Sequence, residues 1–454
     1  MLIIGFASFL ALFAYLIIPD KTPDANDQLL EIETSPIGFE IDMLQLRKNE
    51  PIASPNFLDF LANGRDNLHK KIPIKSYEFI GDKIVYLKYE GRGEGTYDTV
   101  SLKEVAFAVD NKTPLSTSYP QSLKDVYGKT HEIASLKSLQ DQVVEQNIVR
   151  KKYPLGTDKF GRDNLSRLIL GVRVSLAVGL VAVLISLLIG IPLGALSGFY
   201  RKEPPTASVW DIPAFLLAIS GAGVAVYFLV STLFSNEAST ILQVLVIISS
   251  FILFEILLAV LFVFLKKLLA NSLGKILPYS FKFPIDGLIM YVINVFWSIP
   301  LLLWVFALVL ALGREFWQIF LAVGLVMWVE VARVLRGQIF SIRELQFVEA
   351  AQTMGFNDLR TIAKHVLPNA AAPLIVITAA NFASAIIIEA GLSFLGIGVQ
   401  PPKPSWGIML NEYYGYVGTP KAYLAFIPGF AIMTLTLGFY LIGNGIRDAL
   451  DVKT

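Results

Sequence analysis

The chain has 454 residues, 54% hydrophobic and 17% charged, against roughly a quarter charged in a soluble domain, so much of it is built for lipid. Its 38 Lys and Arg residues nearly balance 37 Asp and Glu residues, and the net charge of +1 provides no global attraction for nucleic acid. There is no cysteine, which excludes disulfides, thiolate metal sites and a cysteine nucleophile, and His69, His131 and His365 are too widely spaced for a zinc helix motif.

The first apolar run, Leu2 to Ile18, is close to the minimum of about 17 residues for a spanning helix. No basic segment precedes it and Tyr15-Leu16-Ile17-Ile18-Pro19 offers no small-residue cleavage site, so 1–19 reads as an uncleaved first span, with a signal peptide as the rival. Residues 20–152 turn polar and hold no run long enough to cross. Within them Lys71 to Leu87 and Thr99 to Val109 alternate apolar with polar residues, as strands do, around a turn at Gly91-Arg92-Gly93-Glu94-Gly95. This predicts a small soluble α+β insert. Gly128-Lys129-Thr130 has the tail of a phosphate-binding loop, but Leu123 stands where that loop needs glycine, so it reads as an ordinary loop.

Long apolar runs then return, at Leu168 to Tyr200, Ile212 to Phe234, Ile241 to Leu265, Ile285 to Leu312, Phe316 to Val334, Ala371 to Ile397 and Leu424 to Ile446. Each is long enough to cross, which makes about eight spans in all. The chain divides into the first span 1–19, the insert 20–152, a lead-in and second span 153–203, two further spans 204–277, and a core 278–454. Arg201 and Lys202, then Lys266, Lys267, Lys275 and Lys282, then Arg333, Arg336, Arg343, Arg360 and Lys364, and finally Arg447 and Lys453 follow alternate spans, while Ser235 to Thr240 has no basic residue. Because basic short loops stay in the cytoplasm, both termini and 337–368 are expected inside and the insert outside.

The loop 337–368 carries Glu349-Ala350-Ala351-Gln352-Thr353-Met354-Gly355 and, nine residues on, His365-Val366-Leu367-Pro368-Asn369. Arg343 to Thr353 reads as a helix whose Leu345, Val348 and Ala351 form one apolar face. Gly355 can end it in a left-handed turn, Asn357 and Asp358 can cap a second helix over Leu359 to His365, and Pro368 is expected to stop that helix at the membrane surface. Periodicity alone fits an amphipathic helix lying on the membrane equally well.

The spacing of Glu349, Ala350, Ala351, Gly355, Leu367 and Pro368 resembles the signature cytoplasmic loop of ABC importer permeases, and the His365-x-Leu-Pro-Asn ending is similar to their dipeptide, oligopeptide and nickel branch. Gly156-Thr157-Asp158-Lys159-Phe160-Gly161-Arg162-Asp163 with Ser166-Arg167-Leu168, and Glu389-Ala390-Gly391-Leu392-Ser393-Phe394-Leu395-Gly396 followed by Pro401-Pro402 and Pro404-Ser405-Trp406-Gly407, resemble the same branch in family order. The resemblance covers Tyr153 to Tyr200 and about Ile285 to Val452. It implies an all-α polytopic permease core of type I importers, translocating short peptides, or nickel chelates as the alternative, across a bacterial inner membrane. It also implies a homologous second permease, two ATPase subunits that bind ATP and magnesium, and an extracytoplasmic substrate-binding protein. The chain itself is then no enzyme: it has no catalytic residue, cofactor or metal of its own, and its remaining contacts are with membrane lipid. Glu349 becomes the polar anchor and Gly355 the pivot of an ATPase-coupling loop that also includes His365. The insert and the two further spans exceed the six-span pattern of the branch.

Polar residues inside spans face protein or water. Glu389, Asn381, Ser298 and Trp297 are candidates to line the pathway, with helix packing as the competing reading, and for Glu389 bracing of its span. Asn294 has the same two readings. Glu330 and Arg333 are expected to pair within their helix, and Glu255 to make a structural contact. Gly190, Gly194 and Gly198 form a stripe for close helix packing, and Pro192 and Pro300 are candidate kinks. A membrane hydrolase lacks its parts here. A non-transporting sensor and an exporter are the other rivals.

Overall fold

The structure, a computed structural model, describes all residues except 51, 53, 92, 110–118, 208–280, 314–315 and 451–454. The two spans expected within 204–277, with Glu255, fall almost entirely outside the described residues.

The first apolar run forms two helices rather than one: α1 (Leu2–Leu12) and α2 (Ala14–Ile17) break at Phe13, whose φ of −104° and ψ of 20° are not helical. The polar insert comes next along the chain. Strands β1 (Phe39–Arg47), β2 (His69–Ile80), β3 (Lys83–Lys88), β4 (Tyr97–Ser101) and β7 (Ile148–Tyr153) form one antiparallel sheet in the order β4-β3-β2-β1-β7, and β5 (Gln121–Lys124) pairs with β6 (Thr130–Ile133). Helices α3 (Phe57–Asn63), α4 (Leu102–Ala106) and α5 (Leu136–Gln146) accompany them. Leu44, Ile74, Ile84, Leu102, Val105, Leu139 and Val143 close one apolar core between sheet and helices.

Two strand expectations are corrected. Lys71 to Leu87 is a hairpin, because Gly81 turns the chain inside that run, and only the start of Thr99 to Val109 is strand. A helix begins after Ser101 there, and Leu102 and Val105, three residues apart, bury one helical face. Gly91 and Gly95, both at positive φ, lie in the connection from β3 to β4.

Among the described residues four helices are long and apolar enough to cross a membrane: α6 (Asn164–Phe199), α9 (Phe316–Arg343), α11 (Asp358–Phe394) and α13 (Tyr423–Leu450). The expected span Ile285 to Leu312 is instead two helices, α7 (Ile285–Trp297) and α8 (Leu301–Leu312), bent by 89°. Pro300 stands at the N-terminus of α8, where its missing N–H costs nothing. α6 continues through Pro192, at the loss of one ladder bond, for 36 residues, about 54 Å at 1.5 Å per residue. That is well beyond a hydrocarbon core of about 30 Å, so α6 extends past it.

The glycine stripe sets the tightest helix pair. A Cβ on Gly190, Gly194 or Gly198 would lie 2.8 Å from Trp328 O, 2.6 Å from Ala332 O and 2.6 Å from Arg336 O, so α6 and α9 touch backbone to backbone. The contacts advance together along both helices, which therefore run parallel and end on the same face at Phe199 and Arg343. α11 runs the other way along α6, with Phe382 against Gly179. One end, the end that the basic loops predict to be cytoplasmic and that is called inner below, thus gathers the end of α6, residues 200–207, the start of α7, the segment 344–357 and the end of α13, and the sheet lies at the opposite end, called outer. Arg173 of α6 ties that outer region down by donating to Ala11 O (2.9 Å), Leu61 O (2.8 Å) and Ala62 O (2.7 Å), the C-terminal carbonyls of α1 and α3.

Candidate functional site

The segment between α9 and α11 is an elbow with one helix, α10 (Gln346–Thr353). The expected helix from Arg343 is shorter at its start: Arg343 is the last residue of α9, and Leu345, with φ −82° and ψ 143°, caps α10. Leu345 therefore leaves the predicted apolar face and is 48% exposed, whereas Val348 and Ala351 are buried. Val348 joins Leu335, Ile339 and Ile342 of α9, Ala195 and Phe199 of α6, and Ile362, Val366 and Ala370 beyond the elbow in one cluster.

Gly355 has φ +83°, and around it Phe356 N–H donates to Ala351 O (3.2 Å) and Gly355 N–H to Gln352 O (2.9 Å). These two bonds close α10 as a Schellman turn, which needs a left-handed residue at this position. Asn357 then caps α11, its side chain accepting from Arg360 N–H at 2.8 Å. The Phe356 ring is stacked on His365 (5.6 Å, 12°) and covered by the Arg360 guanidinium (4.4 Å).

Pro368 does not stop the second helix. Asp358–Thr361 is α-helical, Ile362–Val366 is a π turn and Leu367–Ala370 a 3₁₀ turn, and Ala371–Phe394 completes one 37-residue helix. The changes of pitch carry the helix past the proline, whose missing donor leaves a regular α-ladder one bond short. The elbow is therefore continuous with a long apolar helix.

Glu349, Ala350, Gly355 and Pro368 are exposed, His365 and Leu367 are half-buried, and Ala351 faces inward. Met354 (67% exposed) and Leu359 (69%) project beside them, an apolar tip that the motif spacing did not reveal. Below it Tyr200 O–H donates to Asp358 Oδ2 at 2.8 Å. Burial, and then the Asp358 carboxylate, push the Tyr200 phenol up to about 12, so it stays a donor.

The four pathway candidates do not converge. Trp297 (58% exposed) and Ser298 sit at the bend between α7 and α8, whereas Asn381 and Glu389 of α11 are fully buried. Glu389 accepts from Ser393 Oγ (2.7 Å) and Ser405 Oγ (2.8 Å), which holds the outer end of α11 to the loop beyond it. Both polar atoms of the Asn381 amide have no partner. A cavity of about 550 Å³ opens between α9, α11 and α13, lined by Val334, Gln338, Val376, Ile377, Ala380 and Arg447, and none of the four lines it. Glu330 and Arg333 form no ion pair; Arg333 lies over the Trp297 ring at 3.8 Å instead. His69 lies on β2, His131 on β6 beside Asp125 (2.8 Å), and His365 in the π turn of α11.

Two charge clusters have no counterpart among the sequence-based expectations. At the outer end Arg162 Nε donates to Asp158 Oδ2 (2.6 Å) and Arg162 Nη2 to Glu412 Oε1 (3.1 Å), while Arg167 Nη2 donates to Glu412 Oε2 (3.2 Å). Glu412 comes from α12 (Trp406–Tyr413), and beside it Tyr413 O–H donates to Asn164 Oδ1 (2.9 Å). Burial holds the Tyr413 phenol well above its usual range. At the inner end Arg336 Nε donates to Asp286 Oδ1 (2.6 Å) and Arg336 Nη2 to Asp286 Oδ2 (2.8 Å), with Ser197 Oγ also donating to Asp286 (2.6 Å). The only signal for either was the presence of charge in otherwise apolar or motif-like stretches.

The family of binding-protein-dependent transport system inner membrane components matches residues 268–454, elbow included. A dipeptide transport system permease protein from Alkalihalophilus pseudofirmus is 30% identical over 298 residues, 66% of this chain and 71% of that protein. The chain belongs to this family. A glutathione transport system permease protein from Pectobacterium atrosepticum is 29% identical over 66% of this permease and 72% of its own length, and an oligopeptide transport system permease protein from Salmonella typhimurium is 37% identical over 37% and 56%. Inward-facing structures of the MetNI methionine ABC transporter align with 62% of the permease and 95% of their own chain, at 16% identity and a TM-score of 0.39.

Proposed function

We propose that this inner-membrane permease passes short peptides inward through an ABC importer whose ATPase subunits grip the elbow. The observation that carries the reading is the elbow itself: an exposed Glu349, Gly355, Met354 and Leu359 tip on a buried apolar base, continuous with α11. In this reading the tip docks on separate subunits that bind ATP and magnesium. Their closure displaces Glu349 and Gly355, and α11 carries the displacement into the bilayer, so the spans alternate between outward and inward access.

The finer architecture belongs to the same proposal: a type I core of about eight spans, with elbow and termini in the cytoplasm and the sheet-bearing region outside. A second, homologous permease would complete the path, and an extracytoplasmic binding protein would deliver the peptide. The peptide assignment is supported by the names of the dipeptide, oligopeptide and glutathione relatives.

The test replaces Gly355 by valine. A Cβ there meets open space, so the change acts through the left-handed backbone, at a cost of about 1–3 kcal/mol. Co-purification of the ATPase and uptake of labelled dipeptide should both fall several-fold, with nickel chelate uptake measured alongside. Undiminished co-purification and uptake would remove the coupling role.

A further inference from the structure

The elbow is joined to α9 through the non-helical residues Glu344 and Leu345, where a push on α10 would be absorbed by backbone rotation. One short strip of chain bridges this joint. Ahead of the joint, Arg343 donates to Phe199 O and to Glu203 Oε2 (2.6 Å), and its guanidinium covers the Phe199 ring at 4.9 Å. At the joint, Lys202 Nζ donates to Glu344 Oε2 (2.7 Å). Beyond it, Tyr200 holds Asp358. Arg201 also lies over Phe340 of α9 at 4.1 Å. The far end of the strip is fastened too: Phe283 N–H donates to Pro205 O (2.9 Å), and β8 (Thr206–Ala207) pairs with β9 (Phe281–Lys282), which leads into α7 and the Asp286–Arg336 pair.

Accepting the coupling role proposed above, we infer that residues 199–203 are a positioning clamp that makes the elbow, α6 and α9 move as one piece. Phe199 and Tyr200 end a helix locked backbone to backbone on α9, so the clamp ties both sides of the joint to that rigid pair. Motion at the tip then reaches α6 and α9 as well as α11. The contacts of Tyr200 and Arg343 are its main ones, since the Arg343 side chain is only 10% exposed, whereas Lys202 and Glu344 are 57% and 47% exposed and add little on their own.

The experiment uses the whole importer reconstituted in vesicles and reads peptide transported per ATP hydrolysed. Tyr200→Phe, which removes one oxygen, and Arg343→Gln should leave ATPase co-purification and hydrolysis near normal while this ratio falls about fivefold or more. Lys202→Glu should lower it less, and adding Glu344→Lys should restore it. An unchanged ratio in both main variants overturns the clamp, and so does loss of ATPase co-purification, which would make the strip part of the dock. Failure of the unaltered permease to capture any ATPase would instead sink the coupling role on which the clamp rests.

Discussion

The two ends of the permease hold charge differently. At the outer end the side chains of Asp158, Arg162, Arg167 and Glu412 are 0%, 3%, 1% and 8% exposed, and they join the lead-in segment to α12 in a dry network. At the inner end exposure rises from Arg336 and Asp286, at 18% and 19%, to Lys202 and Glu344, at 57% and 47%. A desolvated network is rigid, because losing one member strands another charge without water. A wet pair exchanges partners at little cost. The contrast is between an end braced by desolvated charge and an elbow-bearing end whose charge pairs are wetter.

The largest effect is expected where burial is deepest. Arg162→Ala leaves Asp158 and Glu412 short of a buried partner and should cost about 3–5 kcal/mol, read as loss of folded permease in membranes or a lowered melting temperature in detergent. A near-normal melting temperature would mean that water reaches the outer cluster. Arg336→Ala strips Asp286 of two charge-assisted bonds in a half-wet site, for about 1.5–3 kcal/mol. Equal losses for the two arginines would erase the proposed difference between the ends. Lys202→Ala should move the melting temperature least, with a cost below about 1 kcal/mol that vanishes in high salt. Salt-independent destabilisation there would show the inner pair to be more deeply held than its exposure indicates.

Much of the elbow was legible from composition and spacing alone. Gly355 had to be left-handed to end α10, Asn357 had to cap the start of α11, and Val348 and Ala351 share a face by helical period. Leu345 misled because periodicity cannot tell that a helix has ended, and only its extended backbone removes it from the face. Pro368 misled because a local rule treats proline as a stop, whereas packing of Val366 and Ala370 beneath α9 holds the chain helical through a change of pitch. The run Ile285 to Leu312 is uniformly apolar, and nothing in its composition separates a straight span from the 89° bend observed.

The amino-acid order by itself determined where lipid-compatible segments lie, which glycines let helices meet, and which short segment stands out from the apolar runs. Hydrophobicity and backbone sterics act over a few residues, so they can be read locally. The partners of Arg162, Arg336 and Arg343 were decided only by the tertiary structure. Their carboxylates and carbonyls lie 4 to 250 residues away along the chain, and an ion pair is a matter of distance in space, which charge pattern alone does not encode.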